Sequence, residues 1–345
     1  MTAALRVLAP GLMTTLQDLG RPGFQRLGIP VSGALDSVSL RAANLIVGNP
    51  AAMAALEIAY QGPTLAVEAD SVRVALAGAG APLDILDESG TAERVPPLTS
   101  VRLQRGQRLR IGALSGGAVA YLAVEGGFAV EPMLGSCSTY VRASIGGFGG
   151  RAIAAGDLLP LSRDAAAERE ERMLPSLDLA APARFRVVLG PQDDYFTEAA
   201  IATLLDAIYT VTPATDRMGM RLDGPRLEHA KGFNIVSDGI APGAIQVPGN
   251  GLPIVLLADR QTTGGYPKVA TVISADLPAL GRLMPGAKVA FQAVGIDEAE
   301  AARRQMAASI ADLEASVTGA RREGVIDEAK LLAANLVSGM VDARD

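Results

Sequence analysis

The side chains best suited to binding and activating a small molecule lie in one segment, Ile245–Leu277. An apolar run, PIVLLA, leads there into polar residues and a glycine turn. Such a cluster between two apolar strands is how a β scaffold presents a site. Lys268 could neutralise a carboxylate or an oxyanion, and Asp259 or Tyr266 could transfer a proton. We predict these three as catalytic candidates, with Arg260, Gln261, Thr262 and Thr263 binding substrate; the alternative is a turn held by Asp259 and Arg260.

A second polar segment, TTLQDLGRPGF (Thr14–Phe24), places Gln17, Asp18 and Arg21 between glycines. A planar amide and a guanidinium fork can hold a carboxylate or carbonyl oxygen in a fixed orientation. We predict a substrate-binding role for all three residues. An equally open alternative is an Asp18–Arg21 ion pair that only holds its own loop.

Hydroxyl groups and a further arginine complete the predicted binding set. Ser138 and Thr139 lie in LGSCSTY, just before the glycine-rich stretch IGGFGGRAIAAGD (Ile145–Asp157). That stretch lacks the Gly-Lys-Ser/Thr ending of a nucleotide-binding loop, so it does not predict an ATP site. Arg217, in DRMGMRLDGP, is a candidate anion ligand; ion pairing at the surface explains it equally well.

Composition excludes several other kinds of site. His229 is the single histidine and lies in a polar stretch, so we expect a solvated side chain and no multi-histidine metal site; no metal is predicted. The single cysteine, Cys137, cannot form an internal disulfide. The net charge of −6 argues against a nucleic-acid surface. Without a signal peptide or a long apolar segment, we predict a cytoplasmic protein and no membrane partner.

The first part of the chain is predicted to be β-rich. Hydrophobic alternation in Thr64–Gly78 and Val101–Gly112 indicates strands, and Ala118–Phe128 is typical of a buried strand. The segment Leu35–Gly48 predicts a helix, since Asp36 can cap its start and Gly48 can end it.

The second part repeats this pattern with a strand at Ala183–Gly190 and a helix at Asp194–Asp206, which hints at an internal duplication. The charged stretch between the parts predicts a linker, partly helical. The tail predicts a pair of helices, broken near Gly319–Gly324. The predicted boundaries are a first β domain (1–163), a linker (164–182), a second β domain (183–295) and a helical extension (296–345).

These segments, in this order, resemble the biotin-dependent carboxyltransferase family, which includes the 5-oxoprolinase C subunits and the proteins called allophanate hydrolase subunit 2 and kinase-inhibitor antagonist. The motifs that carry the resemblance include VSGALDSVSLRAANLIVGNP, ALEIAYQGP, AYLAVEGGF and IQVPGNGLPIVLLADRQTTGGYPKVATVISADL. The resemblance implies a mainly β fold with two cyclophilin-like β-barrel domains, to which the tail adds a C-terminal helical extension.

The resemblance implies that the chain is the C subunit of an ATP-dependent 5-oxoprolinase, inactive alone, which opens the lactam of 5-oxoproline to glutamate. Its partners would be an A subunit and a B-type subunit (allophanate hydrolase subunit 1 or kinase-inhibitor type), and the assembled complex would use ATP. The first alternative is half of a biotin-dependent carboxyltransferase acting on urea or a related amide. The biotin would then sit on another chain, because this one has no Met-Lys-Met segment. A second alternative is a non-catalytic partner of a kinase-inhibitor-like subunit.

Overall fold

The computed structural model describes residues 3–87 and 89–320. These residues form a mainly β structure, which confirms the predicted fold class. We call the part that contains the first group of strands, together with the helix α1, the first lobe. Its strands are β1 (Ala4–Ala9), β2 (Met13–Gln17), β3 (Ala55–Ala59), β4 (Thr64–Val67), β5 (Ser71–Gly80), β6 (Leu83–Leu86), β7 (Ala92–Arg94), β8 (Val101–Gln104), β9 (Arg108–Ile111), β10 (Ser115–Val124) and β11 (Leu158–Pro160).

The strands of the first lobe pair antiparallel in sheets of order β11-β1-β4-β9-β6-β7 and β2-β3-β10-β5-β8. Alternating apolar residues place one side chain in two on the inner face, where residues such as Leu65, Val74 and Leu122 are completely buried. The core of this lobe therefore lies between its sheets. The strands predicted at Thr64–Gly78, Val101–Gly112 and Ala118–Phe128 are all present, each with an intervening turn or a shifted end.

Helix α1 (Ser37–Val47) lies where the sequence predicts it. The carboxylate of Asp36 accepts hydrogen bonds from the backbone N–H groups of Val38 and Ser39, and Gly48 ends the helix in the left-handed conformation. Its apolar residues form a second core layer against β5 and β10. This packing buries Asp36 at the edge of the first lobe.

The charged segment after the first lobe packs against it. It contains the short strand β12 (Arg172–Met173) and no helix among its residues 164–182, so the predicted partial helix is wrong. Arg73 of β5 explains the difference: its buried guanidinium binds Glu125 at 2.7 Å and Glu171 at 2.9 Å, and it also donates to backbone carbonyls of the segment. These contacts hold the segment in an extended conformation along the sheet.

The second lobe contains the later strands, which form a nearly closed sheet of order β21-β14-β15-β18-β17-β20-β13-β22 and a separate β16–β19 pair. Its core residues include Val187, Val255 and Phe291, each fully or almost fully buried. The strands are β13 (Phe185–Leu189), β14 (Tyr209–Val211), β15 (Gly219–Asp223), β16 (Asp238–Gly239), β17 (Ala244–Gln246), β18 (Ile254–Leu256), β19 (Thr263–Gly264), β20 (Lys268–Val272), β21 (Lys288–Val289) and β22 (Phe291–Ala293).

Three further helices follow in the described residues: α2 (Glu198–Asp206), α3 (Leu277–Gly281) and α4 (Ile296–Ser316). Helix α2 begins four residues later than predicted, because Thr197 supplies its N-cap after a short 3-10 turn. The last described strand, β23 (Thr318–Gly319), pairs antiparallel with β12. Helix α4 confirms the first tail helix, whereas the second lies outside the described residues. No helix in the described part of the chain is long and apolar enough to cross a membrane. The domain boundaries at 163, 182 and 295 stay a prediction.

Candidate functional site

Arg217 joins the lobes. It lies in the loop between β14 and β15, and its Nε and Nη2 donate to the Asp259 carboxylate at 2.8 and 3.1 Å. Nη1 binds the carboxylate of Glu57 on β3, and Nη2 also donates to the Gly33 carbonyl at 2.7 Å. Burial lowers the pKa of Arg217, but the charges of Asp259 and Glu57 outweigh it, so the net pKa is raised. This arginine is therefore a permanent cation between the lobes, and the interpretation of it as a surface ion pair is wrong.

A buried network surrounds this ion pair. The Tyr121 hydroxyl donates to Glu57 at 2.5 Å and accepts from the Asp36 backbone N–H at 2.9 Å. Asp36 also pairs across the junction with Arg282, which follows α3, at 2.9 Å. Burial, followed by the charges of Glu57 and Asp36, raises the pKa of Tyr121 well above its ordinary value, so the phenol stays protonated. We call this set the junction network: Asp36, Glu57, Tyr121, Arg217, Asp259 and Arg282.

Asp18 organises the loops beside the junction. Its carboxylate accepts hydrogen bonds from the Ser136 hydroxyl at 2.6 Å, the Ser138 hydroxyl at 2.5 Å and the Cys137 backbone N–H at 2.7 Å. It also accepts from the Gly20 backbone N–H at 2.7 Å. Asp18 thus fixes the Ser136–Thr139 loop, more than a hundred residues away in sequence. The alternative of an Asp18–Arg21 ion pair is wrong.

Gln17 and Arg21 extend from the same segment to the same loop. The Gln17 side-chain amide donates to the Thr139 carbonyl at 3.1 Å, and Nη2 of Arg21 donates to the Ser138 carbonyl. Both side chains are almost completely buried. Burial lowers the pKa of Arg21, and the nearby carboxylates of Asp18 and Asp259 only partly offset that effect. The structure therefore brings together five of the predicted binding residues: Gln17, Asp18, Arg21, Ser138 and Thr139.

The three catalytic candidates have different surroundings in the structure. Asp259, after β18, joins the junction network, whereas Lys268 begins β20 and its Nζ lies 2.9 Å from Asp238. Tyr266 is exposed. Among the described residues, the side chains of Asp259, Tyr266 and Lys268 share no hydrogen bond. The geometry separates these three groups, and their proton-transfer roles stay a prediction.

The remaining predicted binding residues lie along the same segment. Arg260 is buried, and its Nε donates to the Ile240 carbonyl at 3.1 Å; burial lowers its pKa to about 10. Arg260 Nη1 also donates to the carbonyl of Leu257, three residues earlier in the same turn, at 3.3 Å, whereas Asp259 accepts from Arg217. A turn held by an interaction between Asp259 and Arg260 is therefore wrong, although Arg260 by itself stabilises the turn. Gln261 donates to Gln246 at 3.2 Å, away from the junction network. Thr262 is half-buried and Thr263 is exposed.

Two cavities in the described part of the chain lie away from the junction network. The larger, about 420 Å³, is beside the β1–β2 turn and is lined by residues that include Leu12, Gln61 and Arg110. A smaller one, about 190 Å³, lies between β5 and the segment around Leu177. Neither is lined by a predicted site residue. In the described part of the chain no group of three or more His, Cys, Asp or Glu side chains is arranged to hold a metal ion.

His229 has a structural role. It is half-buried, its Nε2 lies 3.0 Å from the Val247 carbonyl, and its ring packs 5.0 Å from that of Phe196. The expectation of a solvated side chain is therefore wrong, because the aromatic neighbours cover the ring. Neither of these neighbours is a nucleophile that His229 could activate.

Sequence reasoning missed Glu57, Tyr121 and Arg282 of the junction network. One signal was available for Glu57, which stands between two buried apolar residues in the strand ALEIA. A carboxylate inside a buried strand requires a partner. The identity of that partner could not be read from the sequence, because Arg217 lies 160 residues further along the chain.

Comparisons with known proteins agree on one kind of domain. Residues 27–293 match the family model described as carboxyltransferase domain, subdomain A and B. The C subunit of 5-oxoprolinase from Escherichia coli is 38% identical over 301 residues, which cover 87% of this chain and 94% of that protein. The 5-oxoprolinase C subunit from Haemophilus influenzae is 37% identical, covering 84% and 91% respectively.

A solved structure extends the likeness to a larger enzyme. The crystal structure of Kluyveromyces lactis urea carboxylase superposes on 94% of this chain with a TM-score of 0.81 and 29% sequence identity. The present chain spans only 30% of the length of that protein.

Proposed function

We infer that this chain, which belongs to the family of the carboxyltransferase domain, subdomain A and B, is the C subunit of a 5-oxoprolinase. In this proposal the complex opens the lactam of 5-oxoproline with water and ATP, giving glutamate, ADP and phosphate. The observation that carries it is the match to the E. coli C subunit, which covers both chains almost from end to end. If the chain instead matched only part of a much longer protein, the match would favour a role as one domain of a different enzyme.

The buried groups at the lobe junction fit the activation of an unreactive amide. Arg217, Arg21 and Arg260 supply fixed guanidinium groups; Arg21 and Arg260 are buried, and the side chain of Arg217 is 15% exposed. Their positions are held by carboxylates and backbone carbonyls from both lobes. Preorganised donors in a water-poor site stabilise developing negative charge on a substrate oxygen more strongly than donors in water do. Such a site needs no histidine relay.

The partners and location remain part of the proposal. An A subunit and a B-type subunit would complete the enzyme, and the complex would consume the ATP in the cytoplasm. The proposal includes Asp259, Tyr266 and Lys268 as candidates for proton transfer. Since Asp259 accepts two hydrogen bonds from Arg217, a proton-transfer role for it requires that ion pair to open during the reaction.

A second candidate function has its own support. The superposition on K. lactis urea carboxylase favours a biotin-dependent carboxyltransferase domain, with biotin carried on another chain and urea or a related amide as substrate. We rank it second because this chain covers less than a third of that enzyme.

Reconstitution tests the proposal. The chain is mixed with the A and B-type subunits of its own source, and glutamate release is measured with 5-oxoproline and ATP. Release that requires all three proteins and ATP supports the 5-oxoprolinase. No release from the full mixture contradicts it. Carboxylation of urea by this chain with carboxybiotin, in place of glutamate release, would establish the second candidate.

A further inference from the structure

Lys268 is a buried cation whose counter-ion lies at the surface. The Lys268 side chain is 1% exposed, whereas the side chain of Asp238, its salt-bridge partner at 2.9 Å, is 53% exposed. Within residues 3–87 and 89–320 the Lys268 ammonium forms no other salt bridge. A buried charge without a counter-ion is costly, so Asp238 can leave only if another anion replaces it. Solvent reaches the anion of this pair and not the cation.

A second donor points to the same carboxylate oxygen. The side-chain amide of Gln192 donates to Asp238 Oδ2 at 3.2 Å, and the Lys268 ammonium donates to that same atom. Gln192 Oε1 accepts from the Lys268 backbone N–H at 3.1 Å, and the Gln192 backbone N–H donates to the Lys268 carbonyl at 3.1 Å. Because a backbone N–H can only donate, this contact directs the Gln192 amide nitrogen toward Asp238. The two donors are therefore positioned by contacts that do not involve Asp238.

Asp238 belongs to a surface loop, residues 234–239, which we call the Asp238 loop. None of its side chains is fully buried, and Val236 is 91% exposed. Its backbone is attached where the Ile235 N–H donates to the Gly265 carbonyl at 2.9 Å and where the short strands β16 and β19 pair. Segments with few buried contacts open locally at a small cost in free energy. The donors thus lie on the sheet, and the acceptor lies on a segment that can move away.

We propose that Lys268 and Gln192 form a carboxylate-binding site, which the Asp238 loop fills with its own carboxylate until a ligand carboxylate displaces it. An ammonium and an amide N–H that share one oxygen suit a carboxylate, because charge-assisted hydrogen bonds are the stronger kind. The space that Asp238 leaves is that of a carboxylate, and it adjoins solvent because the Asp238 side chain is half-exposed.

Naming 5-oxoproline as the ligand rests on the proposed function. Its carboxylate can replace that of Asp238, whereas urea has no carboxylate and leaves Asp238 in place. In this assignment Lys268 binds the substrate rather than transferring a proton.

Lysine labelling of the purified chain tests the displacement without any turnover. The rate at which a dilute amine-acylating reagent modifies Lys268 is measured by mass spectrometry with 5-oxoproline, with 2-pyrrolidinone and with neither. In Asp238→Asn the donors lose their internal carboxylate, so saturating 5-oxoproline should slow the modification of Lys268 about tenfold, as one charge-assisted hydrogen bond allows. 2-Pyrrolidinone, the same lactam without the carboxylate, should change the rate less than about twofold.

Wild type should need about tenfold more 5-oxoproline for the same protection, because Asp238 competes for the donors. Asp194→Asn is the matched control, since Asp194 pairs with the exposed Lys231 and the variant leaves the Lys268–Asp238 pair intact. Its protection should equal that of wild type. Equal protection of Asp238→Asn by the two lactams, or none by 5-oxoproline, overturns the carboxylate site.

A disulfide tests whether the Asp238 loop has to move. A Cβ atom at Gly265 lies 3.9 Å from the Ser237 hydroxyl oxygen, close to the spacing that a disulfide bridges. In the double variant Ser237→Cys, Gly265→Cys, the oxidised form should acylate Lys268 at least about tenfold more slowly than the reduced form, because the loop can no longer open. Wild type treated with the same oxidant and reductant controls for Cys137. Equal rates in the oxidised and reduced forms overturn the displacement.

The carboxylate site and the proposed function fail in different experiments. If 5-oxoproline protects Lys268 but the reconstituted complex releases no glutamate, the site stands and the 5-oxoprolinase assignment falls. If glutamate is released but 5-oxoproline does not protect Lys268 in Asp238→Asn, the enzyme stands and the site falls.

Discussion

Arg73, which is buried, and Arg217, which is mostly buried, each bind two carboxylates, yet they do so in different places. Arg73 binds Glu125 and Glu171, which belong to the first lobe and to the segment that packs on it. Arg217 belongs to the second lobe and binds Glu57 of the first lobe and Asp259 of its own. The same chemistry thus fastens a strand-like segment in one region and joins the lobes in the other. Buried ion pairing alone therefore does not identify a functional site; position does.

The largest effect is expected from Arg217→Ala. It leaves Glu57 and Asp259 buried without a cation, which costs about 3–5 kcal/mol of unfolding free energy, and it removes the ion pairs of Arg217 from the contacts that join the lobes. Urea denaturation of the purified chain measures the loss, and glutamate release by the complex should disappear. Full activity in this variant would show that the lobe junction is not the site.

Arg73→Ala should have a smaller effect on stability and almost none on chemistry. One of its partners, Glu171, is 23% exposed and can be rehydrated. We therefore expect a loss of unfolding free energy of about 3 kcal/mol, at the lower end of the range for breaking a buried ion pair. At a temperature where the variant is folded, kcat for 5-oxoproline should stay within about twofold of wild type. A loss of kcat as complete as that of Arg217→Ala would remove the contrast between the regions.

The loop over Arg21 can be tested with two glycines of the same conformation. Gly146 and Gly149 have φ angles of +70° and +71°. A Cβ at Gly149 meets nothing, whereas one at Gly146 collides with the Ser138 carbonyl. We expect Gly149→Ala to cost about 1 kcal/mol for the left-handed backbone, and Gly146→Ala about 3 kcal/mol from backbone and collision together. Equal losses of stability would show that the loop does not press on the site.

The smallest effect concerns the Lys268–Asp238 pair, outside the junction. The hydrogen bond from Lys268 lowers the pKa of Asp238 below its ordinary value of 3.8. A carboxyl group whose pKa is lower in the folded state stabilises the protein at pH values above its ordinary pKa. This stabilisation is lost as the pH falls through the folded pKa. As the pH falls from 6 to 3, the unfolding free energy of wild type should therefore decrease more than that of Lys268→Met. Lys288→Met is the control, because the Lys288 ammonium donates to the Thr210 hydroxyl and should show no such shift.

Local features of the structure could be predicted from the sequence, because neighbouring residues determine them. The ends of α1 follow from Asp36 and Gly48, and the polar residues after β18 follow from the apolar strand that precedes them. The partners of these polar residues could not be predicted. Asp18 binds Ser136 and Ser138, and Arg217 binds Glu57, across separations of 118 to 160 residues. Such pairings depend on how the sheets pack, which one sequence does not specify.

The pairing of β12 with β23 has a practical consequence for handling the protein. The chain leaves the first lobe through β12, forms the whole second lobe and α4, and then returns to pair with that same short strand. A protease cut in the exposed stretch around Ala181 would therefore sever the backbone without freeing either part, since β23, Arg217 and the bond from the Ser32 N–H to the Ala258 carbonyl still hold them together. The halves should migrate as one particle on a sizing column and separate only in denaturant.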